Sequence, residues 1–120
     1  MAAITAHQWV VLSLLLLLAA LVLGQALLYD ALLKYEYKFC RDAWEADGSL
    51  PGVFWTAPDA ADMTTARMRS EWLVWRWLFS TPEWIAGVKP LERKLRLFRF
   101  LSIISTVLSI ILVVYVARRT

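Results

Sequence analysis

WVVLSLLLLLAALVLGQALLY, residues 9–29, is a run of 21 residues without a charged side chain, and its reading decides the fold. At the helical rise it spans about 31 Å, matching a hydrocarbon layer of about 30 Å. A second run, FLSIISTVLSIILVVYVA at 100–117, has 18 residues, with Arg99 before it and Arg118 and Arg119 after it. It spans about 27 Å. Backbone N–H and C=O groups find no water in lipid, so such runs are expected to be helical. The first run is longer than the apolar core of a secretory signal, and no Lys or Arg precedes it. A membrane helix is therefore expected over cleavage at Gly24-Gln25-Ala26.

The rest of the composition agrees. Of the 120 residues, 60% are apolar and 19% charged. A soluble domain has roughly 45–50% and about 25%. One Cys excludes an internal disulfide or a cysteine metal cluster, and one His excludes bis-histidine haem. No glycine pattern cradles phosphate. The carboxylates of 42–62 fall in turn-like, solvated sequence rather than a dry acid–base pocket. No ionisable group lies inside either span, which argues against an ion path through this chain alone. We expect no catalytic residues, no metal and no cofactor. Nucleic acid is a poor partner: the net charge of +3 comes largely from one juxtamembrane stripe, without a recognition motif.

Three segments are expected: membrane helix one with an outer tail (1–33), a helical, Trp-rich cytoplasmic segment (34–99), and membrane helix two with a basic tail (100–120). The fold class is an all-α membrane protein, a two-helix hairpin closed by that segment. Lys34, Lys38, Arg41, Lys89, Arg93, Lys94, Arg96 and Arg99 flank the spans on the loop side, against Arg118 and Arg119 on the other. The positive-inside bias puts the loop in the cytoplasm and both termini outside a bacterial inner membrane.

Residues 34–89 hold six of the seven tryptophans, which a disordered linker would not. Helix one is expected to continue to Asp47-Gly48, with Asp30–Lys34 and Lys38–Asp42 pairs at i,i+4. A helix is expected over 59–79, then a short turn at Ser80-Thr81-Pro82-Glu83 stopped by Gly87, and a last helix from Pro90 through Arg118. On that helix Lys89, Arg93, Arg96 and Arg99 share one side, with Leu91, Leu95 and Phe98 opposite. Such a basic stripe attracts anionic lipid headgroups.

Trp72, Trp75, Trp77, Phe79 and Trp84 form the candidate partner interface. Trp72, Trp75 and Phe79 share a helical face and Trp77 points elsewhere. Packing and interfacial anchoring are the expected roles, with a shelf for a flat cofactor as the alternative. Ser13, Ala20 and Gly24 on helix one and Ser102, Ser105 and Ser109 on helix two are small faces suited to helix packing, in the hairpin or against a neighbouring subunit. His7 is expected at headgroup level, and Cys40 as an inert packing residue rather than a lipidated one.

From Arg69-x-x-Trp72-x-Val74, through about twenty polar or aromatic residues, to Glu92-Arg93-x-x-Arg96-x-Phe98 and the terminal span, residues 69–118 resemble the universal stress protein B family of bacterial inner-membrane proteins. The resemblance implies one span at each end, a cytoplasmic middle and a link to stationary-phase stress, with no active site. The expected function is that of a non-enzymatic accessory or stabilising subunit of a larger inner-membrane complex, touching lipid and other membrane subunits. A stress protein acting alone on lipid, and a redox or pigment-adjacent subunit, are the alternatives.

Overall fold

A computed structural model describes residues 5–119, with side chains except those of 63–68. Residues 1–4 and 120 of the expected outer segments lie outside the described residues. The described chain is helical, without strands, in the order α1 (Ala6–Phe39), α2 (Arg41–Ala46), α3 (Met63–Phe79) and α4 (Lys89–Arg119). Both α1 and α4 are long and apolar enough to cross a membrane.

Helix α1 opens with a capping box: the Thr5 hydroxyl accepts from Gln8 N–H while the Gln8 side chain accepts from Thr5 N–H, satisfying two orphan donors. Over 34 residues it rises about 51 Å. It does not run on to Asp47, as the sequence suggested. The backbone breaks at Cys40 (φ −132°, ψ 54°), and α2 starts afresh. Arg41 secures the break by donating from Nε to the Tyr37 carbonyl at 2.8 Å, with its guanidinium 3.6 Å above the Tyr37 ring. No Gly or Pro stands there, so nothing in the local sequence marks the break. Gly48 (φ 108°) does end α2, in the left-handed conformation that suits glycine.

Helix α3 begins at Met63, later than the Asp59 expected. The Ala61 N–H goes to the Ser49 carbonyl at 2.8 Å instead of to the preceding helical turn, which ties 57–61 to the α2 end. Residues 83–87 form hydrogen-bonded turns, and the Glu92 carboxylate accepts from Gly87 N–H at 2.8 Å at the start of α4.

Helices α1 and α4 lie side by side and antiparallel: His7 meets Tyr115 at one end, and Gln25 meets Ser102 and Ser105 further along. The seam has a seven-residue repeat. On α1 it runs through His7, Val11, Leu14, Leu18, Leu21, Gln25, Leu28 and Leu32, all half-buried or buried. On α4 it runs through Leu91, Leu95, Phe98, Ser102, Ser105, Ser109 and Leu112, with Tyr115 one further step of three along. Steps of four and three keep one stripe of each helix facing the other, as in a coiled coil.

The core lies at the loop end. Leu32 and Leu33 of α1, Trp44 of α2, Leu73 and Trp77 of α3, Leu50 and Ile85 of the connections, and Leu91, Leu95 and Phe98 of α4 are buried together. The wheel reading of α4 therefore agrees with the burial of Leu91, Leu95 and Phe98.

Candidate functional site

The loop-end core and the segments around it form a cap on the two long helices, and its first feature is an anchor at Asp30. Its carboxylate is 7% exposed and accepts three backbone N–H bonds, from Val53 and Phe54 at 2.6 Å each and from Trp55 at 3.0 Å. Such charge-assisted bonds are the strong kind. A side chain on Gly52 would overlap the Trp55 carbonyl oxygen and this carboxylate, so only glycine fits there. The expected Asp30–Lys34 pair is thus replaced by a loop clamp, which places Val53 and Phe54 outward, at 59% and 66% exposure.

Two turns on, Glu36 is fully buried beside Asp47, Arg76 and Trp84. Neither carboxylate oxygen has an aligned hydrogen-bond partner. Desolvation, reinforced by the Asp47 carboxyl, pushes its pKa up to about 9, against a weaker lowering by Arg76. Glu36 is held as the neutral acid. Arg76 reaches Asp47 at 3.5 Å, and Arg41 reaches Asp59 at 3.7 Å. Both pairs have exposed guanidinium groups and add little stability. Burial also raises the thiol pKa of Cys40, at the α1–α2 break.

The five aromatic candidates divide. Trp77 is buried and offers no surface to a partner, while Trp84 is half-buried against it. Trp77 packs against Tyr29 (5.4 Å between ring centroids), Trp84 (6.1 Å) and Phe98 (6.1 Å), and Trp84 stacks on Tyr35 (6.2 Å). Trp72, Trp75 and Phe79 share the opposite face of α3, at 69%, 57% and 79% exposure. With Glu71, Arg76 and Ser80 they line an open hollow of about 620 Å³.

The basic stripe divides too. Lys89, Arg93, Lys94 and Arg96 are exposed. Arg99 turns inward: its Nε donates to the Trp77 carbonyl at 2.7 Å and its terminal nitrogen to the Thr81 hydroxyl at 3.2 Å. It binds the end of α3 to α4 and is not free for a headgroup.

Of the small-residue candidates, Ser102 and Ser105 lie in the seam. Gln25 donates to the Ser105 hydroxyl, and the Ser102 hydroxyl is 3.1 Å from Gln25 Oε1. Gly24 lets Leu101 approach, with 3.2 Å between its side chain and the position a Cβ would take. Ser109 is half-buried at the seam, but its hydroxyl donates to the Ser105 carbonyl of its own helix at 2.7 Å, so it does not bond across. Ser13 and Ala20 are exposed on α1, away from α4. The seam lies one stripe over, on Leu14, Leu18 and Leu21. His7 is likewise not solvated alone: its Nδ1 lies 3.0 Å from the Tyr115 hydroxyl and the rings stack at 5.1 Å.

Compared with known family models, curated proteins and solved structures, the chain matches none. Sequence reading missed Asp30 as an anchor, Glu36 as a buried acid and Gln25 as the bridge between the long helices. A signal existed for Glu36, which follows Leu32 and Leu33 on the same helical face, and for Gln25, the one amide in an apolar run.

Proposed function

We propose that the chain is a non-enzymatic, two-span protein of a bacterial inner membrane, an accessory or stabilising subunit of a larger membrane complex. Its loop is cytoplasmic and both termini are outside, as the Lys/Arg bias directs. One observation carries the reading. The α1–α4 seam is filled by His7, Val11, Leu14, Leu18, Leu21 and Gln25, and this leaves Ser13 and Ala20 on the outward side of α1. Small residues inside a span cost nothing to expose to lipid, but they let a neighbouring helix approach closely, where packing drives association. The other chemistry favours surfaces over catalysis: the buried acid is closed off, and the large exposed groups are aromatic or basic.

Extraction in a mild detergent followed by native mass measurement tests the reading. The expected result is a mass above that of one chain, reduced by Ala20→Ile, which blocks the approach without touching the seam. A lone monodisperse monomer, unchanged by Ala20→Ile, overturns it.

A further inference from the structure

We infer that α3 is an interfacial helix that seats Trp72, Trp75 and Phe79 among the lipids of the cytoplasmic leaflet. The inference rests on the two-span part of the proposed reading and is independent of any partner subunit. If the runs 9–29 and 100–117 lie in hydrocarbon, Tyr29 and Phe100 mark its cytoplasmic edge. Two contacts and one shared hollow place α3 near that level. The Trp77 ring packs on Tyr29 with 5.4 Å between centroids. The Trp77 carbonyl is held by Arg99, the residue before Phe100. Trp75, Val74, Ser70 and Glu71 share a hollow with Val22, Gln25 and Ala26 of the first span.

The depth of α3 is therefore set by the chain's own membrane helices, before any partner is considered. Its uncovered face carries three aromatic rings, and the row continues into the lipid-facing surface of α1 at Val22, 51% exposed. A second element puts apolar groups at the same level. Asp30, one residue past Tyr29, clamps the 53–55 backbone, and Val53 and Phe54 point outward from it. Indole rings favour headgroup depth because the ring is apolar and the N–H still reaches polar partners. An amphipathic helix lying in this boundary buries its apolar face and keeps its charges toward headgroups and water. Arg69 on α3 and Arg93, Lys94 and Arg96 on α4 supply exposed positive charge, while the charge of Arg76 is shared with Asp47. Anionic headgroups complement that charge. The occupant of the aromatic face is thus bilayer lipid, and the hollow beside Trp72 and Phe79 is where headgroup and upper acyl carbons fit.

The test uses the full chain in vesicles containing anionic lipid, in a Cys40→Ser background. Nitroxide labels at Trp72→Cys, Trp75→Cys and Phe79→Cys are compared with Leu16→Cys in the first span and Glu45→Cys on α2. The readout is the ratio of accessibility to oxygen, which favours lipid, and to a water-soluble nickel chelate. The expected ratios at 72, 75 and 79 fall between those at 16 and 45. Ratios equal to that at 45 place the row in water and overturn the inference. Protection from both reagents means that protein covers the row, which overturns it equally. A water-like ratio at 16 removes the two-span reading and the inference with it. In unlabelled protein, lipids brominated near the carbonyl are expected to quench the tryptophan emission, with a loss of quenchable signal in Trp72→Phe/Trp75→Phe. No change in that signal counts against the inference.

Discussion

Replacing Glu36 by Gln tests the buried acid directly. The side chain is fully buried and has no aligned partner, and its pKa is raised from 4.5 to about 9. A group whose folded-state pKa lies above its unfolded value contributes stability that is fully present below the unfolded value and is lost as pH rises toward the folded one. Between about pH 4.5 and 9 folding therefore takes up a proton. At pH 7, keeping the acid protonated in the cap costs about 1.4 kcal/mol for each pH unit above 4.5, or about 3 kcal/mol in all. Gln has the same shape, stays neutral at every pH and has an amide that can donate to Asp47. In mild detergent, denaturant unfolding followed by tryptophan emission should show wild-type stability falling by up to about 1.4 kcal/mol per pH unit between pH 5.5 and 8. Glu36→Gln should have a shallower slope and, at pH 7, be more stable by up to about 3 kcal/mol. Equal slopes, or a variant less stable than wild type at pH 7, would refute the assignment of a neutral, desolvated carboxyl.

Two further outcomes follow from the anchor and the seam. Asp30→Ala strips three backbone donors of their acceptor and should cost on the order of 3 kcal/mol. Faster amide exchange at Val53, Phe54 and Trp55 is the specific sign to look for, and Gly52→Ala should produce it through the clash at the same place. Gln25→Leu removes the bridge to Ser102 and Ser105. By the measured worth of hydrogen bonds between membrane helices it should cost only about 0.6 kcal/mol, so a loss of several kcal/mol in detergent unfolding would give the bridge a larger role.

Both long helices were legible because charge is absent from two stretches, and charge is what lipid excludes most strongly. Their mutual facing was not. In a run such as LLLLLAALVL every stripe is apolar, so the seven-residue repeat leaves no contrast to read. Only the polar residues His7 and Gln25 on α1, and Ser102, Ser105 and Tyr115 on α4, mark the seam. The small-residue rule pointed to Gly24, Ser102 and Ser105, which lie at the seam, and also to Ser13 and Ala20, which lie one stripe away. In the cap, the 72, 75, 79 spacing correctly set one face of α3 apart from Trp77, since a helical face follows from spacing alone. Which face would be covered depended on contacts distant in sequence, namely Tyr29 and Phe98, and spacing carries no information about those. Asp30 was misread for the same reason: Lys34 was its visible neighbour, while its three donors lie more than twenty residues away.

The unbroken course of α1 from Ala6 to Phe39 has a mechanical consequence. Asp30 and Glu36 ride on the same rod that meets Tyr115 at its far end, so a tilt or twist imposed there is transmitted without a joint to the anchor of the 53–55 loop. The first place where the backbone gives way is Cys40. Inside that point the cap moves as a passenger of the rod, and beyond it α2 is held by the Arg41 bond to the Tyr37 carbonyl and by Trp44 in the core.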